Sequence, residues 1–205
     1  MLTDYVINNV LGKEHKMTLP HWEYFLAIES DLSASTRFVE FTAENFAVYS
    51  IEFAHILLSS SSEVDVIAKS LSNMLFPDRS HQNINDYREA ITQSFSRFAN
   101  IEVRIPRYGL SLQPWKAWAR DENPIWWKSY NKVKHERNTF YKEANLENAL
   151  NAVAGLFSLV LFLYRRENSQ SQLAPTPTLL TCSIYKIPPN PANVTLENLM
   201  EIYRS

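Results

Sequence analysis

A chain of 205 residues with net charge −2, 45% hydrophobic and 20% charged residues has the composition of one globular domain with appendages, large enough to bury a core. Its three glycines, Gly12, Gly109 and Gly155, stand far apart, which excludes the clustered-glycine loops that cradle nucleotide phosphates in P-loop and Rossmann proteins. A single cysteine, Cys182, excludes an intrachain disulfide and a cysteine-based zinc cage, and fits a reducing, cytoplasmic setting.

In chain order, MLTDYVINNV lacks the basic and apolar runs of a secretion signal, and His15 and His21 fall in a stretch that reads as loop. LPHWEYFLAIESDL (19–32) spaces Trp22, Phe25, Leu26 and Ile28 as a short amphipathic helix. TAENFAVYSIEFAHILL (42–58) continues Phe46, Ser50, Phe53, Ala54 and Leu57 at helical spacing, with Thr42 as the expected cap. The serine-rich tract 59–76 reads either as a restart at a Ser60/Glu63 capping box or as one long helix. The period Leu57, Ser61, Val64, Ala68, Leu71, Leu75 favours the long helix. Within it, Glu52 and His55 form half of a di-iron carboxylate pattern, but the second half is missing.

NINDYREAITQSFSRFA (83–99) predicts another amphipathic helix. IEVRI and LSL then flank PRYG, the chemistry of a turn between two short strands. QPWKAWARDENP is irregular, and Pro124 suits the start of the helix that follows. The segment 144–166 is apolar almost all round from Leu150 onward, so it belongs at the centre of a bundle. Its apolar run, 152–164, is shorter than the ~20 residues of a membrane span, and no membrane is expected. ENSQSQLAPTPT (167–178) reads as a linker, LLTCSIYKI as a strand and TLENLMEIY as a terminal helix. The prediction is an all-α domain over 1–166 with a β-hairpin insertion near 101–112. A small strand/helix appendage follows over 167–205.

The charge distribution says more than the net charge. Residues 97–142 hold ten Lys/Arg against four Asp/Glu, together with four of the five tryptophans, a pointer to an anionic partner. At 100° per residue, Trp126, Trp127, Tyr130 and Val133 share one apolar arc of the helix after Pro124. Asn131, Lys134, His135 and Asn138 cluster beside it, with Asn131 and His135 at the i, i+4 spacing of side chains that meet. Lys128, Ser129, Lys132 and Glu136 should point away.

The stretch Tyr130-Asn131-x-x-Lys134-His135-x-Arg137 resembles the signature of the HEPN family of helical bundles, many of them prokaryotic ribonucleases or toxin and phage-defence components. The family motif is an arginine followed by a polar residue, then three residues and a histidine. Asn131 and His135 match it, and Tyr130 stands where the arginine is expected. The resemblance covers the helical part, roughly 37–166. It implies a HEPN-like bundle, a homodimer, an RNA or nucleotide ligand, and chemistry without metal or cofactor.

Two functions follow. In an RNA-processing or defence-associated ribonuclease, His135 transfers protons, Asn131 orients it, and Lys134 and Arg137 hold phosphate in place of the missing arginine. Tyr130, Trp127, Trp115 and Trp118 would then contribute to substrate binding, with Glu63, Asp65 and Lys69 supporting from the long helix. The alternative is a non-catalytic module that binds a nucleotide, nucleic acid or protein through the same helix, its tryptophans being structural.

Overall fold

A computed structural model describes residues 19–167 and 173–184 of the chain. Among the described residues there are five α-helices and one small antiparallel sheet. The first helix, α1 (Pro20–Ser35), opens on a proline, whose fixed φ suits a first turn where its missing N–H is not needed. It buries Trp22, Phe25, Ile28 and Leu32. His21, read as a loop residue from the sequence, lies in its first turn.

α2 (Ile51–Leu75) is one unbroken helix through the serine tract. Ser60 satisfies its hydroxyl by donating to the Ile56 carbonyl at 2.6 Å, so Ser60 and Ser61 act as small buried residues and not as a cap. The start differs from the expected Thr42. Ser50 is the cap, accepting from the Phe53 N–H at 3.0 Å, and Ala43–Asn45 form only a 3-10 turn. The reason is long-range. The Leu146 N–H donates to the Val48 carbonyl and the Ser50 N–H to the Ala144 carbonyl, so pairing with a segment nearly 100 positions away claims residues whose spacing looked helical.

α3 (Ile84–Ser94) starts on a capping box of Asn83 and Asp86, which satisfies orphan N–H groups reciprocally. The predicted hairpin is present as β1 (Val103–Ile105) and β2 (Leu110–Leu112), antiparallel. Gly109 at φ 63° makes the left-handed step of its turn. A third strand, β3 (Thr181–Cys182), pairs with the other edge of β1.

The stretch leading to β3 is more tightly held than linker composition implied. Leu173 is fully buried and Leu179 and Leu180 nearly so. The buried carboxylate of Glu29 accepts N–H bonds from Thr178, Leu179 and Leu180 at 2.9–3.0 Å. The remainder of the predicted strand, the terminal TLENLMEIY and His15 lie outside the described residues.

α4 (Ile125–Phe140) carries the tryptophan segment, and α5 (Leu146–Arg166) runs through the interior. α5 packs against α1, α2 and α4, and every residue from Ala152 to Tyr164 is buried. It is long and apolar enough to cross a bilayer, yet 89% of that apolar window is buried in the protein. An all-round apolar helix is stable in the middle of a bundle, where neighbours cover each side. The fold is predominantly helical with a small sheet.

Candidate functional site

Pro124 precedes α4, and the apolar arc then goes inward as the spacing predicts: Trp126, Trp127, Tyr130 and Val133 are all buried. Two of the indoles are hydrogen-bonded into place. Trp126 Nε1 donates to the Pro114 carbonyl and Trp115 Nε1 to the Ser158 hydroxyl, each at 2.8 Å. The rings then run as a connected series. Trp118 lies 4.2 Å from Trp115 between centroids, Trp126 lies 5.2 Å from Trp115, and Trp127 lies 5.2 Å from Tyr130.

Trp115 has no exposed surface and Trp118 retains 3%. A base could stack on neither ring without opening the core. These two predicted substrate-binding residues, and Trp127 with them, sit where a large apolar side chain gains most from burial.

The polar shoulder of α4 divides. Asn131 does not turn to His135. Its Nδ2 donates back to the Trp127 carbonyl at 2.9 Å, one turn down its own helix. Tyr130, where the HEPN resemblance would lead one to expect an arginine, is 5% exposed, and the Lys134 ammonium rests 5.4 Å from its ring centroid, a cation–π distance.

Ser129 and Lys132, expected to point freely to solvent, converge on Glu143. The Ser129 hydroxyl donates at 2.6 Å and the Lys132 ammonium at 2.9 Å. These two donors hold the Glu143 carboxyl below the usual glutamate range.

Immediately after His135 the helix breaks: Glu136 has φ −138° and ψ 49°. Lys134, His135, Glu136 and Arg137 are all exposed at this break. Among the described residues Lys134, His135 and Arg137 have no carboxylate at ion-pair distance, in contrast to Lys132.

Beyond the break a cavity of about 530 Å³ opens between α4 and the first turn of α2, lined by Ile51, Ala54, Arg137, Asn138 and Tyr141. Tyr141 is braced edge-on by Tyr49, 5.3 Å away. Ile51, Ala54 and Tyr141 were missed in the sequence. Their only signal is that Ile51, at the start of a helix, is 68% exposed, which cannot be seen without knowing where that helix begins.

The three residues expected to support α4 are engaged elsewhere or free. Glu63 binds His21 Nδ1 at 2.5 Å, joining α2 to α1. Asp65 is hydrogen-bonded to the Tyr87 phenol of α3, and Lys69 is exposed without forming the i, i+4 pair with Asp65. Glu52 and His55 are exposed on the first turn and a half of α2. Among the described residues no three His, Cys, Asp or Glu side chains converge at metal-binding distance. Comparison with models of protein families, with curated proteins and with solved structures gave no match.

Proposed function

We propose that this chain is a HEPN-like protein that holds a phosphate-bearing ligand, RNA foremost, at the broken end of α4. The observation that carries the reading is the set Lys134, His135 and Arg137. These three side chains within four residues are exposed and free of carboxylate partners, beside a cavity with apolar walls. Lysine and arginine in that state attract phosphate without first giving up an ion pair. The cavity offers Ile51, Ala54 and Tyr141 to an apolar or aromatic group next to it.

Binding is better supported than cleavage. The position of the family arginine is taken by Tyr130, which faces the core and carries no charge, and Asn131 spends its amide on the helix backbone. In the ribonuclease form of the reading, His135 alone remains to move protons near neutral pH. Arg137, on the far side of the break, supplies the charge, and a second protomer completes the site.

Fluorescence anisotropy with a single-stranded RNA oligomer tests this directly. Two cationic phosphate contacts, Lys134 and Arg137, imply a log–log salt slope of about −1.4, so raising salt from about 50 to 200 mM should cost roughly sevenfold in affinity. Lys134→Ala combined with Arg137→Ala should remove most of that slope. Salt-independent binding, or variants that bind like the wild type, would overturn the reading. If the wild type cleaves the oligomer, His135→Ala should lower the rate ~100- to 10,000-fold. Binding without cleavage leaves the non-catalytic module.

A further inference from the structure

The outward side of α1 is not that of a helix facing only water. Tyr24, Ala27, Ser30, Asp31 and Ala34 recur at three- and four-residue spacing and are all exposed, and Phe38 extends the line into the following turn. Tyr24 is 44% exposed and Phe38 84%. Between these two aromatic rings the side chains are short, so another element can approach the helix closely there. Beside Phe38, a cleft of about 390 Å³ opens between α1 and the start of α2, walled by Ala34, Val39 and Phe53, with Asp31 and Glu52 also lining it.

The charge along this part of the chain is mainly negative. From residue 20 to 58 five carboxylates are exposed, Glu23, Asp31, Glu40, Glu44 and Glu52, against a single Lys/Arg, Arg37. Among the described residues Glu23, Asp31 and Glu52 have no cation at ion-pair distance. An apolar cleft flanked by unneutralised carboxylates selects against acidic partners and for basic ones.

We propose that this face receives an amphipathic helix of a partner protein, with an apolar side chain in the Phe38 cleft and Lys or Arg residues facing Asp31 and Glu52. Tyr24 to Phe38 spans roughly 20 Å at helical rise, the length of about four turns of such a helix. A second copy of this chain is the poorer occupant. Its own basic helix, α4, already commits Trp126, Trp127, Tyr130 and Val133 to the core, leaving no apolar stripe to offer. The proposal does not depend on the phosphate site.

Two labelled 18-residue model helices, one of Leu and Lys and one of Leu and Glu, would be titrated with the full chain. The Leu/Lys helix is expected to bind at least about tenfold more tightly. Phe38→Ser should weaken it about tenfold or more, as loss of a central aromatic anchor does. Ala34→Arg, which blocks the cleft mouth and reverses its charge, should do the same, while Lys128→Ala, an exposed position of α4 with no part in this face, should change nothing. Phe38 and Ala34 are exposed, so melting temperatures of both variants should stay near the wild type. The proposal is overturned if the two model helices bind alike or if neither Phe38→Ser nor Ala34→Arg weakens binding. It is equally overturned if sedimentation equilibrium shows wild-type dimers that Phe38→Ser dissolves, because the face then belongs to a second copy.

Discussion

A carboxylate as deeply buried as Glu29, 2% exposed, survives desolvation only if donors replace water. Here the donors are three consecutive backbone N–H groups, Thr178 to Leu180, about 150 positions away. Glu29→Ala removes the acceptor of the buried Leu179 and Leu180 amides, a loss of about 1–3 kcal/mol for each group that water cannot reach, while Thr178 is exposed. We expect Glu29→Ala to lower unfolding free energy by about 3–5 kcal/mol in urea titrations. It should also raise proteolysis of the 173–184 segment; a variant as stable and as resistant as the wild type would show the clamp to be ornamental. Tyr130 is the second telling residue. Tyr130→Arg introduces the arginine that the proposed HEPN likeness would call for, but sets a guanidinium against Trp127 in a nearly closed space. The expected outcome is a stability loss of about 2–4 kcal/mol without gain of RNA cleavage. A stable Tyr130→Arg protein that cleaves RNA would mean that the tyrosine had displaced catalysis instead of filling space.

Among the elements, α5 sets the tightest tolerance. A Cβ built at Gly155 would meet Trp126 Cζ2 at 3.0 Å and Trp115 Cζ2 at 3.4 Å. Both indoles are held by their hydrogen bonds to Pro114 and Ser158, so neither ring yields cheaply. Alanine gains about 1 kcal/mol of helix propensity over glycine, while overpacking costs about 1–3 kcal/mol. Gly155→Ala should therefore lose about 1 kcal/mol net, with a changed near-ultraviolet spectrum from the displaced tryptophans. Adding Trp126→Phe should recover part of the packing strain; no coupling between the two substitutions would place the clash elsewhere. The inward arc of α4, the hairpin around Gly109 and the central position of α5 were legible because each is written in local periodicity or turn chemistry. The start of α2 at Ser50, the Glu29 clamp and the pairing of Glu63 with His21 were not. Each depends on a partner 42 to 151 positions away, and nothing in the local pattern names that partner. The break at Glu136 has no proline or glycine to announce it. On α4 the inward arc was therefore readable, while the directions of Ser129, Asn131 and Lys132 were not.

At the scale of the whole molecule, the net charge of −2 conceals ion pairs and hydrogen bonds that make stability depend on pH in a definite sense. On the acid side, Glu143 is held below the usual glutamate range by Lys132 and Ser129, and Asp86 and Glu102 are lowered by the Gln82 N–H and by Arg104. A carboxyl with a depressed folded-state pKa leaves the unfolded chain binding more protons in the interval between the two values. Stability therefore rises with pH there, is complete above the unfolded value, and is lost as pH falls through the folded one. On the alkaline side, burial, with Asp65 nearby, pushes the Tyr87 phenol up to about 12, and burial also raises Tyr164. For these groups the folded state keeps the proton longer. Their contribution is complete below the ordinary tyrosine value of about 10 and is lost as pH climbs from there through the folded value. The expected profile of urea midpoint against pH is a plateau falling below about pH 5 and above about pH 10. Single variants separate its two limbs. Glu143→Gln should reduce the acid limb, to which Asp86 and Glu102 also contribute, and leave the alkaline one unchanged. Tyr87→Phe should do the reverse, even though lysine deprotonation shares the alkaline window, because only the tyrosine part is removed. An alkaline limb identical in wild type and Tyr87→Phe would show that the buried phenol does not carry that loss of stability.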